Sequence, residues 1–255
     1  MTRIAFFVYG LVCYLVSFGT FIYAIGFIGN VGVPVSIDSR PLGPTGVAVA
    51  ADLGLLVLFA LQHSVMARPA LKRWWTRIVP EPIERATYVL ASSVALILLF
   101  WLWRPIGGLV WEVEAPAARG VLHGLYGLGW GLVLVTTFLI NHFDLFGLRQ
   151  VWLHLRGRPY TQLRFATPGP YRWVRHPLYV GWLTVFWATP TMSLTHLFFA
   201  LVTTGYILAA IRFEERDLAT AHGADYEAYR KRVPMLVQRL RQGRTTPEAA
   251  GTSAA

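Results

Sequence analysis

Residues 4–28 read IAFFVYGLVCYLVSFGTFIYAIGFI, and positions 4 to 37 contain no charged side chain. About 20 consecutive apolar residues are enough to cross the hydrocarbon core of a bilayer. The stretch is too long for the core of a signal peptide, and no small-residue cleavage site follows a shorter apolar run, so it predicts a retained membrane helix. It contains Cys13, the single cysteine of the chain, which excludes an internal disulfide and a cysteine-based metal cluster.

Similar apolar runs recur along the chain. Of its 255 residues, 55% are hydrophobic and 14% are charged, whereas soluble domains carry about 25% charged residues. The candidate spans are residues 4–28, 46–66, 86–103, 121–142, 178–189 and 191–211. We therefore predict an all-α fold, a polytopic membrane helical bundle of five to six transmembrane segments, as a single domain over residues 1–242. The tail at 243–255, composed largely of Thr, Pro, Ala and Gly, is expected to be disordered.

The basic residues alternate from one side of these spans to the other. Of the 23 Lys and Arg residues, 20 fall before span one, between spans two and three, between four and five, or after span six. The positive-inside rule then predicts that both termini are cytoplasmic, as in a multi-pass protein of the bacterial inner membrane. Topology and anionic membrane lipid account for the net charge of +10 without a nucleic-acid partner.

The fifth candidate span, residues 178–189, is too short to cross a bilayer alone. Its 12 residues reach about 18 Å as a helix, against a hydrocarbon thickness of about 30 Å. Pro190 then interrupts the apolar pattern. We expect a helical hairpin with its turn near Pro190, buried among the other helices because its turn could not face lipid.

Ionisable groups gather at the predicted cytoplasmic ends of four spans. These ends are Gln62-His63-Ser64, Asn141-His142-Phe143-Asp144, Arg175-His176-Pro177 and Arg212-Phe213-Glu214-Glu215. Polar groups near a membrane are costly unless they are partnered, so the gathering indicates a functional site. The alternatives are capping of helix ends, ordinary positive-inside charges, i,i+4 ion pairs and an aromatic belt. Asp52 and His123 fall near the opposite ends of their spans and are treated as interfacial.

Several kinds of site are excluded or disfavoured. A metal site could draw on His63, His142, Asp144 and His176, but no spacing places two such ligands on one helix, so no metal is predicted. The chain has no phosphate-binding loop and no dinucleotide-binding glycine motif. Ser64 is the immediate neighbour of His63 in the chain, a spacing that does not give nucleophile geometry and argues against a hydrolase.

The carboxy-terminal motifs resemble those of integral-membrane methyltransferases, which include the isoprenylcysteine carboxyl methyltransferases and the phospholipid methyltransferases. They are Gly169-Pro170-Tyr171, Arg175-His176-Pro177-Leu178-Tyr179-Val180-Gly181, Glu214-Glu215 and Tyr226-x-x-Tyr229-Arg230. The upstream segments 62–68 (QHSVMAR) and 141–150 (NHFDLFGLRQ) are similar to those of bacterial methanethiol S-methyltransferases and their NnrU-like relatives. This resemblance implies S-adenosylmethionine as methyl donor, bound mainly within residues 143–242, and a small volatile thiol as acceptor.

The resemblance also implies which residues bind the donor. They are Gly169, Pro170, Tyr171, Arg175, His176, Tyr179, Gly181, Trp182, Glu214, Glu215 and Tyr226. A guanidinium at Arg175 could hold the donor's carboxylate, and Glu214 or Glu215 could bind its ammonium or its ribose hydroxyls. Tyr171, Tyr179 or Trp182 could stack on adenine or face the sulfonium, since aromatic faces attract cations.

The implied reaction is an in-line displacement in which a thiolate attacks the methyl carbon. Positioning is its main requirement, together with a group that favours the thiolate, because free thiols have pKa values near 8.5 or above. The candidates for accepting the proton are His142, with Asp144 as its orienting or accepting partner, and then His63.

Other functions compete with this interpretation. The acceptor could be an isoprenylcysteine or a phospholipid, which need a wide lateral opening. A sterol-reductase-like protein binding NADPH would share the carboxy-terminal resemblance, but Glu214-Glu215 argues against a nearby 2′-phosphate. An NnrU-like membrane component or a transporter would be non-catalytic, and only Asp52 favours transport. No obligatory protein partner is inferred.

Overall fold

The computed structural model describes residues 2–39, 43–161, 163 and 166–237. The helices are α1 (Thr2–Gly29), α2 (Thr45–Met66), α3 (Pro69–Trp75), α4 (Glu81–Leu102), α5 (Pro116–Ile140), α6 (His142–Leu145), α7 (Leu148–Leu155), α8 (Pro177–Trp187), α9 (Leu194–His222) and α10 (Ala224–Arg232). Two short strands, β1 (Leu109–Glu112) and β2 (Thr191–Ser193), and a 3-10 turn at Gly169–Arg172 complete the elements. The tail predicted at 243–255 lies outside the described residues.

Five helices in the described part of the chain, α1, α2, α4, α5 and α9, are long and apolar enough to cross a membrane. They carry many exposed apolar side chains, such as Ile4 (62% exposed) and Leu128 (70% exposed). A water-soluble protein would not leave so much apolar surface uncovered, whereas a lipid-facing surface requires it. The predicted all-α membrane bundle is therefore confirmed.

Helices α8 and α9 form the predicted hairpin. The 11 residues of α8 lead into a turn at Pro190, and α9 then runs back beside α8. The Trp187 indole donates to Thr204 across the pair at 3.1 Å, while Glu215 of α9 lies beside His176 at the start of α8. The short limb is thus covered by other helices, as a buried turn requires.

The hairpin turn contains a strand that the sequence did not predict. Strand β2 pairs antiparallel with β1 from the α4–α5 connection, with Leu109 opposite Ser193 and Glu112 opposite Thr191. A turn held within a membrane protein needs partners for its backbone N–H and C=O groups. This two-stranded ladder supplies those partners, although segments of three and four residues are too short to be recognised from sequence periodicity.

Helix α9 extends further than the sequence predicted. The predicted span ends at residue 211, whereas the helix itself continues without a break to His222, over 29 residues. At 1.5 Å per residue it is about 44 Å long, which exceeds the hydrocarbon thickness. It ends at Gly223, whose φ of 52° favours glycine. Glu214 and Glu215 therefore lie inside the helix, two turns before its end.

The sequence pattern predicted that Asp52 is interfacial. In the structure its side chain is fully enclosed by the protein. Its Oδ1 accepts a hydrogen bond of 2.9 Å from the backbone N–H of Arg104, just after α4 ends. Asp52 therefore connects α2 to the start of the α4–α5 connection.

Helices α5 and α8 approach each other closely at two glycines. A Cβ atom added to Gly181 would lie 2.9 Å from the carbonyl oxygen of Gly129 and 2.8 Å from Val133, and one added to Gly129 would lie 3.0 Å from the carbonyl oxygen of Gly181. Small residues allow membrane helices to pack at short distance in this way. This contact fixes α8, and with it the start of the hairpin, against α5.

We expect Gly181→Ala to destabilise the protein by about 1–3 kcal/mol, because backbone rather than a flexible side chain must move to make room. The matched control is Gly131→Ala on α5, where an added Cβ meets nothing within 4 Å and alanine favours the helix by about 1 kcal/mol. Thermal unfolding in detergent would measure both variants. Equal melting temperatures for the two variants would contradict the proposed close packing.

Candidate active site

The bundle has a basic end, defined by Arg68, Lys72, Arg73 and Arg77 of the α2–α4 connection and by Arg85 near the start of α4. Here α10 and residues 233–236 fold back over the 3-10 turn and the start of α8. The Tyr229 hydroxyl donates to the carbonyl of Tyr171 at 2.6 Å. Tyr226, which is 1% exposed, lies beside Glu215, and burial raises its pKa to about 12. The fold thus brings together the predicted donor-site residues of segments 169–179 and 214–226.

The carboxylate of Glu215 is the centre of this cluster. Its Oε1 accepts from Nε of Arg175 at 2.7 Å and lies 3.1 Å from Nε2 of His176. The side chains of Arg175 and Glu215 are only 11% and 14% exposed, so water screens their attraction little. The predicted guanidinium and carboxylate are therefore in one compartment.

Arg175, however, is largely committed to partners within the protein. Its Nη1 donates to the backbone carbonyls of Val233 at 2.6 Å and Arg230 at 3.2 Å, while Nε and Nη2 meet Glu215. These bonds use most of the five N–H donors of arginine. Its backbone N–H also donates to Pro234 at 2.8 Å. The structure therefore does not support the predicted contact of Arg175 with the donor's carboxylate; Arg175 orients Glu215 and anchors residues 230–234.

Glu214 is the more accessible carboxylate of the pair. Its side chain is 45% exposed, and its Oε2 lies 3.8 Å from Nδ1 of His176. The Tyr179 hydroxyl interacts with it. Burial, and then the negative charge of Glu214, raises the pKa of Tyr171. A carboxylate surrounded by hydroxyls and open to water could bind an ammonium group or a ribose diol.

The remaining predicted donor-site residues separate into two groups. Gly169 has a φ of 53°, and a Cβ there would lie 3.2 Å from Leu139, so this turn requires glycine. Gly181 and Trp182 lie elsewhere. Gly181 is buried in the α5–α8 contact, and the Trp182 ring packs 5.0 Å from that of Trp130 in the aromatic core. Their predicted roles in donor binding therefore receive no support from their positions.

His63 lies in a polar cluster near the donor-site residues. The hydroxyl of Tyr88 is 3.0 Å from its Nδ1 and 3.2 Å from its Nε2, and Ser92 Oγ is 3.2 Å from Nδ1. Tyr88 in turn is close enough to Tyr179 to interact with it electrostatically. His63 and its partner Tyr88 are therefore in the neighbourhood of Tyr179 and Glu214.

His142 and Asp144 do not form the predicted pair. His142 is buried, with Nδ1 2.8 Å from Thr137 Oγ1 and Nε2 3.1 Å from the Tyr14 hydroxyl. Burial lowers the pKa of His142. Asp144 instead accepts from Arg149 at 2.9 Å. Two ring nitrogens that already have partners leave no place for Asp144, so its predicted orienting role is not supported.

Two cavities lie beside His142. A shallow cavity of about 410 Å³ is lined by Leu163 and by the consecutive residues 138–143, at the end of α5. A second cavity of about 20 Å³ lies between His142 and α1, with Tyr14 and Phe21 in its wall. The larger one is a surface depression formed mainly by one stretch of chain, and it lacks the carboxylates that the donor's ammonium requires. The Glu214–Glu215 cluster, which has these carboxylates, is therefore the candidate site for the donor.

Within the described residues, no group of three His, Cys, Asp or Glu side chains could hold a metal ion. Sequence reasoning missed three members of the polar cluster, namely Tyr88, Ser92 and Tyr206, whose hydroxyl is 3.0 Å from Ser64 Oγ. Their only signal is a hydroxyl inside an apolar run. Such residues are common in membrane helices, where a hydroxyl often bonds back to a carbonyl of its own helix.

Comparisons with known proteins agree with the arrangement of motifs. Residues 132–220 match the isoprenylcysteine carboxyl methyltransferase (ICMT) family. The chain is 54% identical to a methanethiol S-methyltransferase of Crocosphaera subtropica, over 93% of each chain. It is also 54% identical to a methanethiol S-methyltransferase of Mycobacterium tuberculosis, over 93% of this chain and 97% of the relative.

A more distant relative is nurim of Sus scrofa, which is 35% identical over 68% of each chain. No solved structure matches the chain. The methyltransferase relatives extend over nearly the whole chain, so their similarity includes the upstream segment with His63 as well as the carboxy-terminal motifs.

Proposed function

Because the chain belongs to the methanethiol S-methyltransferase family, we propose that it transfers a methyl group from S-adenosylmethionine to methanethiol, giving dimethyl sulfide, at the cytoplasmic membrane face. The observation that carries this proposal is the 54% identity to methanethiol S-methyltransferases over 93% of the chain. The cluster at the basic end supports it, because that end is cytoplasmic by the positive-inside rule.

The residues present fit most parts of the donor. Glu214 suits the ammonium or the ribose hydroxyls, with Tyr171 and Tyr179 beside it. The rings of these tyrosines could stack on adenine or face the sulfonium. His176, held by Glu215, completes the polar wall. When bound, the donor supplies an electrophilic methyl group.

The chain's own contribution to chemistry is to hold the thiol and to take its proton. His63 is the candidate base, and its support is that its hydrogen-bond partner Tyr88 interacts electrostatically with Tyr179, which contacts Glu214. We assign the proton of the thiol to the ring of His63, so that sulfur attacks as thiolate. The site lies where apolar helices meet charged helix ends, which suits a small apolar acceptor and an apolar product that both partition into lipid.

Headspace analysis tests the proposal directly. Purified full-length protein with S-adenosylmethionine and methanethiol is expected to release dimethyl sulfide. The parallel reaction with NADPH in place of S-adenosylmethionine should release none. Two further reactions offer an isoprenylcysteine analogue or phosphatidylethanolamine as acceptor. Methylation of either lipid-like acceptor without dimethyl sulfide would replace methanethiol as the substrate, and absence of any methylation would overturn the proposal.

A further inference from the structure

We propose that Ser92 is a positioning residue for the reaction, because it fixes which nitrogen of His63 carries the lone pair. The inference rests on the proposed function, in which His63 takes the thiol proton. Ser92 is buried in α4, with its Oγ 3.2 Å from Nδ1 of His63. Neither the sequence motifs nor the comparisons assign it a role.

The hydrogen of the Ser92 hydroxyl is already used. Its Oγ donates to the carbonyl oxygen of Tyr88, one turn earlier on α4, at 3.1 Å. A hydroxyl has one hydrogen and two lone pairs, so towards His63 it can only accept. The Tyr88 hydroxyl, 3.0 Å from Nδ1, donates to the backbone carbonyl oxygen of His63, so it too can only accept from Nδ1. Nδ1 of His63 is then the donor. The hydrogen-bond network thereby assigns the neutral ring a hydrogen on Nδ1 and a lone pair on Nε2.

Tyr88 serves this ring before and after it takes a proton. Its hydroxyl lies 3.2 Å from Nε2 and 3.1 Å from the backbone carbonyl oxygen of His63. While the ring is neutral, the hydroxyl donates to this carbonyl, which leaves the lone pair on Nε2 free for the thiol proton. Once Nε2 holds the thiol proton, the hydroxyl can donate to the carbonyl and accept from Nε2–H. The thiol loses its proton, Nε2 gains it, and the ring need not turn.

Packing also keeps the ring of His63 in place. The Phe59 ring stacks on it with centroids 5.3 Å apart and an interplanar angle of 21°. The Tyr88 ring lies against it at 5.4 Å. With Ser92 bound to Nδ1, the ring is fixed in position and in tautomer, and a fixed lone pair is what a general base needs.

The test uses the purified full chain with methanethiol and S-adenosylmethionine. Ser92→Ala is expected to lower kcat about tenfold, because one hydrogen bond that orients the base is lost, with KM for both substrates unchanged. Ser92→Thr keeps the hydroxyl and should restore kcat. The matched control is Ser93→Ala, which removes the neighbouring buried hydroxyl, bonded to Ser17 at 2.8 Å. This control should leave kcat unchanged.

Each outcome decides a separate point. If Ser92→Ala matches Ser93→Ala in kcat, or if Ser92→Thr folds but does not restore kcat, the role of Ser92 is wrong. Failure of the wild-type protein to form dimethyl sulfide would instead contradict the proposed function. Full activity of the His63→Ala variant would contradict the assignment of His63 as the base. Melting temperatures of all variants separate these results from loss of folding, and if Ser92→Ala does not fold, Ser92→Thr against wild type decides the point by its kcat.

Discussion

Replacement of His63 with alanine is expected to lower kcat for dimethyl sulfide formation by about 100-fold at pH 7, the lower end of what a positioned general base contributes. The expected affinity for S-adenosylmethionine, measured by calorimetry, is unchanged, because His63 contacts Phe59, Tyr88 and Ser92, which are not proposed to bind the donor. The deficit should narrow as pH rises, since more of the thiol is then already ionised. Headspace kinetics from pH 6 to 9 would measure both effects.

His142→Ala is the matched control, because it also removes a histidine at the same end of the bundle. It breaks the bonds to Tyr14 and Thr137 and should cost about 1–3 kcal/mol of stability, with kcat at pH 7 unchanged. The reverse result, a large loss of kcat in His142→Ala and none in His63→Ala, would return the base to His142. Because the sequence pattern favours His142 over His63 as the general base, this pair of variants decides which histidine takes the thiol proton.

Glu215→Ala is expected to have the largest effect on stability. It leaves the guanidinium of Arg175 and the ring of His176 without their shared partner. Loss of one member of a buried ion pair typically costs about 3–5 kcal/mol. The start of α8 and residues 230–234 should then lose their anchor, and donor binding should be lost with it. Thermal unfolding and calorimetry with S-adenosylmethionine would measure the two consequences.

Glu214→Ala separates donor binding from stability. Its side chain is 45% exposed and meets His176 only at 3.8 Å, so its removal should leave the melting temperature near that of the wild type. The affinity for S-adenosylmethionine should fall if Glu214 binds the donor. If Glu214→Ala binds the donor normally while Glu215→Ala folds and does not, the two carboxylates have the opposite roles.

Much of the fold was predictable because a bilayer constrains sequence strongly. Uncharged apolar runs predicted the spanning helices, and the short run before Pro190 predicted the hairpin. Helix α9 is longer than the predicted span for a physical reason. Hydropathy reports where apolar residues stop, whereas a helix continues through charged residues such as Arg212 and Glu215 until Gly223. Strands β1 and β2 depend on a contact between distant segments, which a local pattern does not contain.

The gathering of several candidate residues at one end of the bundle was predictable, but their hydrogen bonds were not. The alternation of basic residues between the spans predicted that His63, His176 and Glu214 lie at the same end of the bundle. The partners of each side chain were not predictable, because the carbonyl groups that bind Arg175 become available only when residues 230–234 fold back. For the same reason Asp144 looked like the partner of His142, next to it in sequence, although Arg149 binds it.

The length of α9 has a consequence for how the two reactants reach the protein. The first turns of α9 lie among apolar side chains, such as Phe199. Because the helix is longer than the hydrocarbon core is thick, its final turns, with Arg216 and Asp217, are expected to extend into water. In the proposed reaction, the acceptor methanethiol enters from the hydrocarbon region of the membrane, whereas the charged donor S-adenosylmethionine enters from the cytosol. The rate of turnover then depends on the concentration of each reactant in its own phase. A change in membrane composition that alters the solubility of methanethiol should alter the rate of dimethyl sulfide formation without any change in the protein.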